Sequence, residues 1–201
     1  VIKQVEFDIS KHGYALCIID SGADHADLTD EYASIPKEMK LVSEFFGKKY
    51  LREVDENEFF EKLPQIRAAV KNDRAVLRAM HFFKDNKRAQ EEVKLLEADD
   101  FDGFLKTITE SGRSSYMYLQ NVYASSMPKA QAVSLTLALC EELLGGRGGF
   151  RVHGGGFAGT VQAFVPFDML DAFKKEIERV LGKDMCHVLS LRPVGGYELK
   201  L

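Results

Sequence analysis

Between Phe150 and Val165 the chain reads Phe-Arg-Val-His-Gly-Gly-Gly-Phe-Ala-Gly-Thr-Val-Gln-Ala-Phe-Val, with four glycines in six positions set between two strand-forming runs. Glycine loses more backbone freedom on ordering than any other residue, roughly 0.5–1 kcal/mol relative to alanine. A cluster this dense therefore implies dihedrals or a closeness of approach that side chains forbid. The usual cause is a ligand, or another stretch of backbone, lying against the loop.

Three well-known glycine motifs can be tested against this segment. It is not a phosphate-binding P-loop, because no Lys-Ser/Thr pair follows the glycines. Gly154-x-Gly156-x-x-Gly159 matches the dinucleotide-binding spacing, but that motif opens a helix. Thr160–Val165 is instead β-branched and aromatic, and it reads as a strand. A protein-kinase loop also lies between strands, yet no lysine partner and no catalytic loop follow here.

The rest of the chain narrows the class. Its 201 residues suit one domain with a real core, and 45% hydrophobic with 29% charged residues is ordinary for a soluble globule. A net charge of −4 and a pI near 5.8 draw it to neither nucleic acid nor anionic membrane. No run reaches the length of a membrane span, and no signal peptide is evident. Cys17, Cys140 and Cys186 lie far apart in apolar runs and read as reduced, buried thiols of a cytoplasmic protein. The five histidines are scattered without ligand spacing, so no protein-held metal is expected. Gly145-Gly-Arg-Gly-Gly149 follows a helical run and reads as a helix stop and turn. Val1-Ile-Lys-Gln-Val-Glu-Phe opens as if within a strand-turn-strand unit, as expected of a piece of a longer protein.

Periodicity predicts strands over Val5–Ile9 and Tyr14–Asp20, joined as a hairpin through Ser10–Gly13. A helix is expected over 29–46, capped by Asp27 or Thr29, with Tyr32, Ile35, Met39, Val42 and Phe46 in one stripe. Further helices are expected near Pro64–Val70 and over 73–97, the latter with Val76, Ala79, Met80, Phe83, Ala89 and Val93 inward. Another runs from Asp99 or Asp100 towards Tyr118, and another opens at Pro128 and ends at Leu144. Then come strand, glycine loop, strand, a helix over 168–181, and strands near Cys186–Leu191 and Tyr197–Leu199. Strands at both ends with helices between argue for an α+β fold with a small, mainly antiparallel sheet. The last strand-loop-strand-helix-strand unit fits half of a ferredoxin-like arrangement.

With these residues in view the chain resembles the galactokinases, within the GHMP kinase superfamily. Gly154-Gly-Gly-Phe157-Ala-Gly159 looks like their third motif, which usually reads Gly-Gly-Gly-Phe-Gly-Gly. Glu31-Tyr32, Leu51-Arg-Glu-Val54, Arg78-Ala-x-His81 with Asp85 and Arg88, and Glu110-Ser-x-Arg113-Ser114 follow in matching order. Ala158, Asp85 and Gly112 depart from the glycine, glutamate and histidine usual at those places.

The resemblance implies that residues 1–201 are the C-terminal domain of an ATP-dependent galactokinase. The sugar-binding segment, the phosphate loop, the catalytic aspartate and the sites for ATP and Mg²⁺ would then lie mainly upstream. This chain by itself would be inactive and would carry no catalytic residue. Tyr32 would contact the sugar, and Gly154, Gly155, Gly156, Phe157, Ala158 and Gly159 would support the nucleotide site by close backbone packing. Partners would be galactose and ATP, with no nucleic acid and no membrane. A kinase for an amino sugar or arabinose, a non-catalytic sugar and nucleotide sensor, and a free-standing ferredoxin-like module are the alternatives. His81, Asp85 and Arg88 are expected to form a structural polar network, and Arg113 a surface or interdomain ion pair.

Overall fold

The computed structural model describes residue 5, residues 7–23 and residues 28–190. Asp27 and the strand expected over Tyr197–Leu199 lie outside them. Four strands, β1 (Tyr14–Asp20), β2 (Gly149–Val152), β3 (Thr160–Pro166) and β4 (Cys186–Leu189), form one sheet in the order β2-β3-β1-β4. All three pairings are antiparallel, with Tyr14 opposite Pro166, Ile19 opposite both Val161 and Cys186, and Val152 opposite Val161. Helices separate β1 from β2, and one helix separates β3 from β4. This is the ferredoxin-like pattern in an α+β fold.

Strict alternation along β1 decides which layer each face meets. Cys17 and Ile19 point into a core with Val161, Ala163 and Val165, closed by α6 (Ala132–Leu144) and α7 (Leu170–Leu181). Phe164 faces the other way and meets Phe101, Phe104, Leu105 and Ile108 of α5 (Phe101–Ser114), with Tyr14 and Leu16 packed alongside. Each fully buried aliphatic side chain contributes about 1.5–3 kcal/mol, so the buried stripes of β1 and β3 anchor the sheet.

A second core is helical. α1 (Thr29–Phe45), α2 (Glu56–Glu61), α3 (Leu63–Val70) and the 25-residue α4 (Asp73–Glu97) enclose Val42, Leu51, Phe59, Ile66, Ala75, Ala79 and Phe83. Asn72 caps α4 by accepting from Ala75 N–H at 3.1 Å, and Asp55 caps α2 by accepting from Glu58 N–H at 3.0 Å. α2 falls in the acidic stretch around Asp55–Glu58, to which the periodicity assigned no helix.

Other elements also differ from expectation. Ile9 belongs to a 3₁₀ turn, Ile9–His12, instead of a strand. Asp8 binds the Ser10 N–H and hydroxyl at 3.1 and 2.6 Å, and Phe7 stacks on His12 and Phe101, so local capping and ring packing replace a hairpin ladder. α6 starts at Ala132, not Pro128, because turns at Met127 and Ala130 occupy the intervening residues. On α4 the inward face includes Arg78 and His81, whereas Ala89 is exposed. α5 passes into a π-helical turn, Ser115–Leu119, before reaching Tyr118's end of the expected helix.

Candidate functional site

The β2–β3 connection folds over the segment that follows the π-helical turn. His153 N–H closes its base on the Thr160 carbonyl at 2.9 Å, and Ser21 N–H donates to the Gly159 carbonyl at 3.0 Å. Gly154, Gly156 and Gly159 adopt φ of +70°, +81° and +98°, and Phe157 takes +59°. That left-handed conformation costs a non-glycine residue roughly 1–2 kcal/mol. At Phe157 it is held by an N–H donated to the Asn121 carbonyl at 2.5 Å and by burial of the ring with Leu28, Ala124 and Ala158.

Two side chains brace the loop. The Tyr32 hydroxyl donates to the Gly156 carbonyl at 2.8 Å, and its ring meets Phe157 edge-on, centroids 5.2 Å apart. The Asn121 amide donates to the Gly155 carbonyl at 3.2 Å. This orientation follows from chemistry, since the opposite one would face two oxygens together. The same residues explain the glycines. A Cβ at Gly155 would stand 2.8 Å from Tyr32 Cε1, and one at Gly156 would overlap the Asn121 carbonyl oxygen. The backbone that lies against the loop at Gly156 is thus this chain's own. The N–H groups of Gly154, Gly155 and Gly156 find no acceptor among the described residues.

The segment under the loop is itself clamped. Arg78, wholly buried, donates from Nε to the Leu119 carbonyl at 3.0 Å and from Nη1 to Ser34 and Glu38 at 2.8 and 2.9 Å. Arg74 reaches the other Glu38 oxygen at 2.6 Å and Ser125 at 3.3 Å. Glu31 accepts from Ser125 Oγ, Ser126 N–H and Ser126 Oγ at 2.9, 3.0 and 3.1 Å. Burial alone would raise the Glu31 carboxyl, but these donors, with Arg74, hold it below the usual carboxylate range. Burial likewise opposes ionisation of Glu38, and the Arg74 hydrogen bonds with the Arg78 charge overcome it.

His81, Asp85 and Arg88 form the expected network. His81 Nδ1 meets Ser114 Oγ at 2.9 Å, its Nε2 lies 3.7 Å from Asp85, and Asp85 also takes bonds from Ser111 at 2.6 Å and Arg88 at 3.2 Å. Burial keeps the imidazole below its ordinary pKa, against the pull of Asp85. Its Ser-His-Asp composition does not make a hydrolytic triad, because Ser114 is only 2% exposed and has no open face for a substrate. Arg113 pairs with Glu141 at 3.2 Å on the surface.

The structure therefore joins the two sequence-predicted sites, Tyr32 and the glycine loop, into one. Periodicity did not point to Asn121, which lies in irregular sequence with no motif of its own. The clamp left a fainter signal: Glu31 and Glu38 are seven apart on one helix and Arg74 and Arg78 four apart on another, spacings that align like charges on one face.

Comparison with known proteins places these features in context. The chain is 30% identical over 166 residues to the galactokinase of Actinobacillus pleuropneumoniae and 31% identical over 165 residues to that of Glaesserella parasuis serovar 5. These matches cover 83% and 82% of the chain but 41% of each relative, so it spans about two fifths of their length. No family model matches the chain. Among solved structures, that of Lactococcus lactis galactokinase complexed with galactose shares its fold, with a TM-score of 0.70 and 20% identity over 89% of this chain and 45% of that one.

Proposed function

We propose that this chain, which matches the C-terminal portion of the galactokinases in sequence and fold, serves a full-length enzyme that transfers a phosphoryl group from ATP to the anomeric hydroxyl of galactose. Such an enzyme would feed carbohydrate catabolism in the cytoplasm, a setting that suits three free, buried cysteines. No helix among the described residues is long and apolar enough to cross a membrane.

One observation carries the reading: Tyr32, the candidate sugar contact, hydrogen-bonds directly to the candidate nucleotide loop at Gly156. Phosphoryl transfer depends chiefly on positioning and on stabilising charge. A braced backbone loop beside a sugar-facing phenol supplies the first of these. The Tyr32 hydroxyl donates to Gly156, and a phenol is both donor and acceptor, a chemistry suited to a sugar hydroxyl. Gly154–Gly159 would wall the nucleotide site, with the outward N–H groups of Gly154–Gly156 turned to what the remainder of the enzyme presents.

Magnesium is the metal such an enzyme would use. Among the described residues no group of three or more His, Cys, Asp or Glu is placed to hold a metal ion.

A coupled ADP-release assay on the full-length protein, run with galactose, arabinose and galactosamine, tests the proposal. Galactose should be preferred, and the 201-residue chain alone should show no turnover above a protein-free blank. Turnover by the chain alone, or preference for another sugar, would overturn the corresponding part. Tyr32→Phe removes one hydrogen bond, a loss of about 0.5–1.5 kcal/mol, and should raise the KM for galactose roughly two- to twelve-fold. An unchanged galactose KM would leave Tyr32 only its role as loop anchor.

A further inference from the structure

We infer that Asn121 is a positioning residue for the reaction, setting the shape of the glycine loop and, through it, the fit of the nucleotide. The inference rests on the galactokinase reading for its substrate, and on this chain's geometry for everything else.

Asn121 is 3% exposed and meets three consecutive loop residues. Its carbonyl accepts from Phe157 N–H at 2.5 Å, its amide donates to the Gly155 carbonyl at 3.2 Å, and its backbone occupies the space a Gly156 Cβ would need. In a trans peptide the carbonyl and the following N–H point in opposite directions. Turning the Gly155 carbonyl onto Asn121 therefore turns the Gly156 N–H away from it. The Asn121 side chain thus orients an amide that has no acceptor among the described residues.

The chain places Asn121 with unusual care. The π-helical turn Ser115–Leu119, a geometry often found at functional sites, ends at Gln120 in the left-handed region, φ +56°, with its N–H on the Ser115 carbonyl at 2.7 Å. Arg78 fixes Leu119 immediately before, and Glu31 fixes Ser125 and Ser126 just after. Both flanks of Asn121 are thereby tied to the helical core, while its backbone carbonyl and side-chain nitrogen meet the loop and its Oδ1 is buried without a hydrogen-bond partner among the described residues.

The test uses the full-length protein with Asn121→Ala, which deletes the amide, and Asn121→Asp, which keeps its size but removes the donor. If the amide sets the loop, both variants should lose at least about five-fold in kcat/KM for ATP while the galactose KM stays within two-fold. Aspartate, despite filling the space, should not restore ATP kinetics. A lower Tm with ATP kinetics unchanged, or restoration by aspartate, would show that Asn121 merely packs, and would overturn the inference. Should neither variant fold, amide hydrogen exchange on the unsubstituted protein decides. Protection of Phe157 N–H comparable to β3 without ATP supports the brace, and fast exchange there overturns it. Absence of galactose phosphorylation by the unsubstituted enzyme would instead sink the galactokinase reading, and the exchange result would still judge the brace.

Discussion

At the scale of single residues, the two glycines with similar dihedrals are not equivalent. Gly154 has φ +70° with nothing within 4 Å of where a Cβ would sit, whereas Gly156 has φ +81° and faces the Asn121 backbone. Gly154→Ala should cost only the left-handed conformation, about 1–2 kcal/mol. Gly156→Ala adds overlap with a backbone that is fastened on both sides, and should cost at least about 1–3 kcal/mol beyond that. Urea denaturation of both variants checks the difference, and equal losses would show that the loop can slide off Asn121. The glycine density was legible in the sequence because it is a local constraint. Its partner was not, since Asn121 lies 34 residues away from Gly155 in irregular sequence.

At the scale of elements, α5 meets β2 through Gly112. A Cβ at Gly112 would lie 2.9 Å from both the Phe150 carbonyl oxygen and Arg151 Cβ. Alanine improves helix propensity there by about 0.8–1.0 kcal/mol, but overpacking against strand backbone costs typically about 1–3 kcal/mol. Gly112→Ala should therefore be destabilising, and Gly112→His more so, read as a fall in the denaturation midpoint at constant m-value. A stabilised alanine variant would mean that the helix and strand can part without loss. The long α4 was readable from its period. The 3₁₀ turn at Ile9 and the π-helical turn were not, because each arises from capping or tertiary contact that competes with a regular pattern.

At the scale of the whole molecule, an ionic clamp around buried Arg78 ties α1 and α4 to the segment beneath the glycine loop. Glu38 holds both Arg74 and Arg78, and Arg78 in turn holds Leu119 below the loop. Glu38→Gln leaves Arg78 buried with a neutral partner and should cost about 3–5 kcal/mol near neutral pH. The native Glu38 carboxyl is held below its ordinary 4.5 by those arginines, against its burial. Its contribution is therefore complete above pH 4.5 and is lost as pH falls through the lower folded value. Thermal unfolding should show a steeper acid decline for the native protein than for Glu38→Gln, and parallel profiles would remove Glu38 from the clamp.

The sequence by itself determined the α+β class, most helices, the strands around the glycine loop and the family likeness. Each of these is written in local period, in turn chemistry or in motifs that survive apart from the fold. The tertiary structure alone decided that Tyr32, 124 residues from Gly156, closes on the loop's carbonyl. It also decided that Arg78 and His81 turn inward, and that Asn121 lies beneath the glycines. These are choices about which distant groups satisfy one another's hydrogen bonds. A buried polar group needs a partner but carries no local mark of which partner it will meet.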